Sequence, residues 1–74
     1  MRLTDLEPGE RYVAVRSFRD DRGTLVLDGD TFTLDRIAPS GGTFAVQCEE
    51  DTLHLDEERQ AEIVEHVDRF LRLM

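Results

Sequence analysis

The chain lacks the cysteines that small domains use for stabilisation by disulfides or metal ions. It has 74 residues, with one cysteine, two prolines and no tryptophan, lysine or asparagine. A single cysteine excludes a disulfide within the chain, and no metal-ligand spacing connects Cys48 with His54 or His66. A chain of this length buries only about 60% of the surface that it exposes when unfolded. We therefore expect one small core, stabilised by packing or by a partner, and no large enclosed active site.

Long apolar runs are also missing. No segment approaches the roughly 18 apolar residues of a membrane span, and residues 1–5 are too polar to open a signal peptide. These features favour a soluble cytoplasmic protein with a single domain over residues 1–74.

The formal net charge is −8, and the acidic excess lies entirely in the second part of the chain. Residues 1–22 contain five arginines and five acidic residues, whereas residues 23–74 contain four arginines and twelve acidic residues. Such a field repels nucleic-acid phosphates and anionic lipids but attracts a basic protein. We expect no nucleic-acid or membrane partner. Solubility alone would also explain the charge.

Alternating apolar and polar residues indicate four or five antiparallel strands before residue 56. Turn signals at residues 6–9, 20–23 and 39–42 separate the alternating segments. Strands this short have to curl to remove their edges, which favours a small, partly open barrel. The predicted strands cover residues 11–18, 24–27, 31–35, 43–49 and 52–55.

From Asp56 the pattern changes to that of a helix, predicted over residues 56–73. Asp56 suits the N-cap, and Glu57 and Glu58 suit the positive end of the helix dipole. An apolar stripe occupies an arc of about 120° and should close the barrel formed by residues 6–55. The stripe consists of Ile63, Val64, Val67, Phe70, Leu71 and Met74.

The alternation also predicts the core. On the first strand, Tyr12, Ala14 and Phe18 compete with Val13 and Val15 for the inward face. The expected core consists of Val13, Val15, Leu25, Leu27, Phe32, Leu34, Phe44, Val46, Cys48, Leu53, Leu55, Ile63, Val67, Phe70 and Leu71.

Two resemblances bear on the fold. The segment DGDTFTL at residues 28–34 is similar to the stretch of SH3-like barrels in which a Gly-Asp turn leads into the central strands. Three spaced motifs resemble a family of short bacterial domains of unknown function: Leu6-x-x-Gly9-x-x-Tyr12, Phe18-x-Asp20-x-x-Gly23 and Glu58-x-Gln60-x-x-Ile63.

This family resemblance implies a compact β domain closed by a helix, and it implies no activity. We therefore expect a mainly β fold: a small SH3-like, partly open antiparallel barrel of four or five strands, closed by one C-terminal amphipathic helix. The proline-rich-peptide groove of SH3 domains is not expected, because it needs clustered aromatic residues including tryptophan.

Few residues suggest chemistry. Cys48 falls on the same face as Phe44 and Val46, where burial would raise the pKa of its thiol, and His54 is predicted on the opposite side of its strand. Residues 28–30 (Asp-Gly-Asp) form either a corner between strands or a cation site, and the following strand pattern favours the corner. We predict no catalytic residue, cofactor or metal site.

The segment 49–58 has six acidic residues in ten. Three of them suit the helix start and three suit a turn between strands; alternatively, they form a contact surface for a basic partner. The candidate partner-binding residues are Glu49, Glu50, Asp51, Asp56, Glu57 and Glu58. The leading hypothesis is a non-catalytic protein-interaction domain. The alternatives are a homo-oligomer (a homodimer, for example) whose helix stripe packs between subunits and, more remotely, a metal-binding protein or an enzyme.

Overall fold

Seven strands and one short α-helix make up the computed structural model of the protein, which describes residues 1–74. Five strands form an antiparallel sheet in the order β6-β5-β4-β1-β7, and β2 pairs separately with β3. The strands are β1 (Arg11–Ala14), β2 (Phe18–Arg19), β3 (Leu25–Val26), β4 (Thr31–Ser40), β5 (Thr43–Cys48), β6 (Thr52–Asp56) and β7 (Leu71–Leu73). The helix is α1 (Ala61–Glu65), and single 3-10 turns cover Leu3–Asp5 and Val67–Arg69.

The predicted mainly β fold is confirmed, but the sheet is not closed into a barrel. Strands β6 and β7 are its two edges and do not pair with each other. The 3-10 turns, α1 and the β2–β3 hairpin supply the apolar side chains that cover its inner face.

A β-bulge divides the long strand β4. Leu34 lies opposite Cys48 and Arg36 lies opposite Gln47, so Asp35 is the additional residue. The bulge reverses the facing of the residues that follow, and Ile37 consequently packs against the core on the same side as Leu34. Pro39 lies beyond the part of β4 that pairs with β1, so its missing N–H interrupts no second ladder.

Alternation predicts the inward face correctly for the internal strands β4 and β5 and for the edge strand β6. These inward residues are all buried: Phe32, Leu34, Phe44, Val46, Leu53 and Leu55.

The structure decides the inward face of β1, which the alternation left open, and the placement of Val13 and Val15 in the expected core is wrong. Tyr12 pairs with Phe32 and therefore shares its face, so Tyr12 and Ala14 are buried while Val13 and Val15 are only half-buried. The tyrosine hydroxyl accepts a hydrogen bond from the N–H of Glu7 at 2.9 Å, which satisfies its polar atom.

The face is also wrong for β3. Phe18 pairs with Val26, and both enter the core. Leu25 and Leu27 consequently point outward and are 46% and 51% exposed.

The helix predicted over residues 56–73 is mostly absent. Backbone angles of φ −133° and ψ 54° at His66 end α1, a 3-10 turn follows, and β7 pairs with β1. Five of the six stripe residues are nevertheless buried, and only Met74 is exposed. The helix α1, the 3-10 turn and the region of β7 thus present the apolar side chains that the periodicity assigned to one helix. The end of the chain is extended because β7 pairs with β1.

Two residues of the N-terminal segment belong to the core, which was not predicted. Leu3 and Leu6 are buried, and the N–H of Val67 donates to the carbonyl of Met1 at 3.0 Å. The N-terminal 3-10 turn therefore packs with the C-terminal segment over the sheet.

A buried carboxylate fastens the β2–β3 hairpin to the outer edge of β6. Asp20 is 5% exposed and accepts backbone hydrogen bonds from Arg22 (3.0 Å), Thr24 (2.7 Å) and His54 (2.9 Å). The N–H of Asp21 in turn donates to the carbonyl of His54 at 2.6 Å. Both outward backbone groups of His54 are satisfied, so the hairpin protects an edge that would otherwise be open to another strand.

Asp20→Ala should lower the free energy of unfolding by about 3 kcal/mol, because three N–H groups lose an ionised acceptor. Urea denaturation at pH 7 measures this. Asp35→Ala is the matched control: it removes the same charge from an exposed residue without a side-chain hydrogen bond and should change stability by less than about 0.5 kcal/mol. Equal effects of the two substitutions would contradict the role of Asp20.

The same interaction has a pH dependence. Burial alone raises the pKa of Asp20, but hydrogen bonds from the N–H groups of His54, Thr24 and Arg22 together lower it by more. The net pKa of Asp20 therefore lies below the usual value. Its contribution to stability is therefore present above the unfolded-state pKa, about 3.9, and is lost as pH falls through the lower folded-state value. Urea midpoints measured between pH 5 and pH 2 should fall less steeply for Asp20→Ala than for the parent protein.

Candidate functional site

One cleft combines apolar walls with carboxylates. It lies between β3, the start of β4 and the turn from β5 to β6, and its volume is about 180 Å³. Half of its lining is apolar or thiol and three residues are acidic. The lining residues, which define the acidic cleft, are Thr24, Leu25, Val26, Asp30, Thr31, Phe32, Cys48, Glu50, Asp51 and Leu53.

Each acidic residue of the cleft is held differently. Both oxygens of Glu50 are used: one accepts from the N–H of Thr33 at 2.9 Å, and the other lies 3.2 Å from Arg11 Nη1. The Thr33 N–H is the main reason that the pKa of Glu50 lies below its usual value, with Arg11 adding to the shift. Glu50 therefore connects the turn before β6 to Arg11 and Thr33, and its charge is partly offset by Arg11.

Asp30 and Asp51 are the available carboxylates. Oδ2 of Asp30 accepts from the N–H of Leu27 at 2.9 Å, and Oδ1 of Asp51 accepts from the N–H of Thr52 at 2.8 Å. The second oxygen of each carboxylate has no hydrogen-bond partner in the chain. One anionic oxygen from each side of the cleft is thus open to a ligand.

The segment containing Asp30 is the corner predicted at residues 28–30. The N–H of Asp30 donates to the carbonyl of Leu27 at 2.9 Å, and Gly29 has a φ of +94°, which other residues resist. Asp30 was predicted as part of a corner or, alternatively, of a cation site, and not as part of a partner-binding surface. Nothing in the local sequence indicates that the turn lies beside residues 50 and 51.

The six candidate partner-binding residues are split between the two ends of β6. Glu49, Glu50 and Asp51 precede the strand, and only the last two line the acidic cleft. Asp56 ends the strand and Glu57 and Glu58 follow it, about 16 Å from Asp51 at 3.3 Å per residue.

In the second group, Asp56 and Glu57 have structural partners, and Glu58 is exposed. Asp56 accepts from the N–H groups of Glu58 and Arg59, both at 2.9 Å, which lowers its pKa. It caps the turn before α1 and not a long helix. Glu57 forms an exposed ion pair with Arg2 at 3.8 Å.

Cys48 lines the cleft and is half-buried, less than predicted. Burial and, after it, the charges of Glu50, Asp35 and Asp51 raise the pKa of the thiol to about 11. The thiol is therefore protonated at neutral pH and is a poor nucleophile.

The two histidines do not join Cys48. His54 contributes its backbone to the Asp20 interaction, and His66 is exposed at the end of α1. No group of three or more His, Cys, Asp or Glu side chains is arranged to hold a metal ion. No helix is long and apolar enough to cross a membrane.

The fold is similar to that of a solved integron cassette protein from the mobile metagenome of Vibrio cholerae. The TM-score is 0.89, with 23% sequence identity over 93% of this chain and 88% of the other. The likeness at this identity concerns the fold. No family model matches the sequence, and no curated protein gives a significant match.

The alkylation rate of Cys48 by iodoacetamide should rise with pH to a midpoint near 11, since only the thiolate reacts. Asp51→Asn should move the midpoint down by removing a neighbouring charge, whereas Glu65→Gln, which changes an exposed residue outside the cleft, should leave it unchanged. A midpoint near the usual value of about 8.5 in the parent protein would contradict the described environment of the thiol.

Proposed function

We propose that the domain is a non-catalytic protein-interaction module that binds a basic partner protein through the surface around the acidic cleft. The observation that carries the proposal is the pair of open carboxylate oxygens, on Asp30 and Asp51, at the rim of an apolar depression. Exposed Glu49 extends the negative surface beside it. Asp56, Glu57 and Glu58 lie at the other end of β6, outside the acidic cleft, and contribute to electrostatic attraction over distance.

The distribution of charge supports association with a cation. The net charge is −8, and the five ion pairs within the chain leave most carboxylates without a basic partner. A field of this sign accelerates encounter with a basic protein and is screened over about 8–10 Å at physiological ionic strength. Binding should accordingly weaken as salt rises.

A non-catalytic role is favoured by the state of the cleft's only thiol. Cys48 has a strongly raised pKa, and its Sγ lies 3.8 Å from the carbonyl oxygen of Val46, which cannot take a proton from it as a general base. The carboxylates that surround the thiol oppose its ionisation further. A cation is better suited to this cleft than a substrate that needs an activated nucleophile.

Self-association is a second candidate, through different residues from those predicted. The stripe expected to pack between subunits is buried within the chain, apart from Met74. The outer edge of β7 is open instead: bonds from Met74 to Arg11 and from Val15 to Phe70 direct the N–H groups of Leu71 and Leu73 away from β1. An antiparallel β7–β7 pairing centred on Arg72 would place two arginines opposite each other, which disfavours it relative to binding a basic protein.

Asp30→Asn/Asp51→Asn should abolish the salt-sensitive capture of a basic protein from lysate when the immobilised domain is used as bait. Asparagine retains the acceptor for the N–H groups of Leu27 and Thr52, so the fold should persist. The control, Glu57→Gln/Glu58→Gln, removes the same charge at the far end of β6 and should retain capture. Mass spectrometry of proteins eluted at low and high salt provides the comparison.

Equal loss of capture in the two double variants would indicate attraction by net charge without a site. A return of the bait alone, with twice the monomer mass in light scattering, would replace the proposal with self-association.

A further inference from the structure

We infer that the acidic cleft receives one arginine side chain of the partner, with the aliphatic stem against the apolar wall and the guanidinium between Asp30 and Asp51. The inference rests on the proposed function and adds the chemistry of recognition to it. It follows from the size, lining and charge of the cleft.

The size of the cleft selects the kind of occupant. Its volume of about 180 Å³ is below the roughly 300–1,000 Å³ of pockets that enclose a drug-sized molecule. A whole nucleotide or cofactor is therefore too large, while one long side chain is of the right order. The cleft is open on one side, as a side chain projecting from a partner's backbone requires.

The lining selects a side chain with an apolar stem and a cationic end. Val26, Phe32 and Leu53 supply apolar walls, and exposed Leu25 extends them to the rim. A purely apolar side chain would leave the two carboxylates facing it without compensation, and a bare cation would leave the walls uncovered. Lysine and arginine both have methylene stems that pack on such surfaces.

The carboxylates favour arginine over lysine. Asp30 and Asp51 belong to different turns that line the same cleft, and each has one open oxygen. A planar group with several N–H donors pointing in different directions suits two separate acceptors better than a compact ammonium does. A guanidinium is also less strongly hydrated than an ammonium and loses less on entering an apolar cleft. Glu50 is the weaker acceptor of the three, because Thr33 and Arg11 already bond to its two oxygens and Arg11 offsets its charge.

The test uses three peptides that differ at one position: acetyl-Gly-Gly-X-Gly-Gly-amide with arginine, lysine or citrulline as X. Citrulline keeps the shape of arginine and removes its charge. Titration into the isotopically labelled domain, followed by amide chemical shifts, should move resonances in residues 24–32 and 48–53 with the arginine peptide. The dissociation constant should be about 1 mM, weaker at least about fivefold for lysine, with no saturation for citrulline.

A size variant separates the cleft from its charge. Leu25→Trp fills the rim of the cleft without changing a carboxylate and should weaken the arginine peptide at least about tenfold, equivalent to about 1.4 kcal/mol. Leu27→Trp is the matched control, since Leu27 is similarly exposed but does not line the cleft. It should bind like the parent domain, and well-dispersed amide spectra verify the fold of both variants.

Each contrary outcome has a distinct meaning. Equal binding to the two tryptophan variants, or equal affinity for the arginine and lysine peptides, would overturn arginine insertion and leave the basic-partner proposal standing. Absence of peptide binding together with retained, Asp30- and Asp51-dependent capture of a basic protein would also overturn the insertion alone. Loss of both peptide binding and capture would overturn the inference and the proposed function together.

Discussion

The rest of the structure depends on the three backbone hydrogen bonds that the Asp20 carboxylate accepts. The chain has no disulfide, and strands β2 and β3 have two residues each, so the hairpin that they form has little stability of its own. Insertion of Phe18 and Val26 into the core and the three backbone bonds of Asp20 hold it in place. The same contact covers the outer edge of β6 and positions one wall of the acidic cleft. Edge protection and the candidate site therefore share one side chain.

The alternation of apolar and polar residues predicted those strands whose facing is set by their own sequence. Alternation identified the inward residues of β4, β5 and β6, because each of these strands has one buried face and one polar face. It left the inward face of β1 open, because Val13 and Tyr12 both suit a strand and only pairing with Phe32 decides between them. The helical periodicity gave a wrong prediction after residue 60. The same spacing of apolar residues is buried by a short helix, a 3-10 turn and a strand in succession. The competing factor was β1, which needs a partner strand on its free side.

The candidate site was predictable in part. The sequence indicated that residues 49–51 form an acidic turn and that residues 28–30 form a corner. Their meeting across the cleft depends on the register of β4 with β5 and on the docked hairpin, which are contacts between residues distant in sequence. The acidic run at residues 49–58 suggested one surface. Residues 52–55 of strand β6 separate the two halves of the run, which have different roles.

Amide hydrogen exchange at His54 tests the central claim most directly. The N–H of His54 lies on the outer edge of β6, and its protection depends on the Asp20 carboxylate. The N–H of Leu73 lies on the outer edge of β7, which has no covering segment. The account predicts that His54 exchanges as slowly as amides between central strands, whereas Leu73 exchanges near the unprotected rate. If His54 exchanged as fast as Leu73, the hairpin would not be fastened to β6, and the cleft would lose its wall.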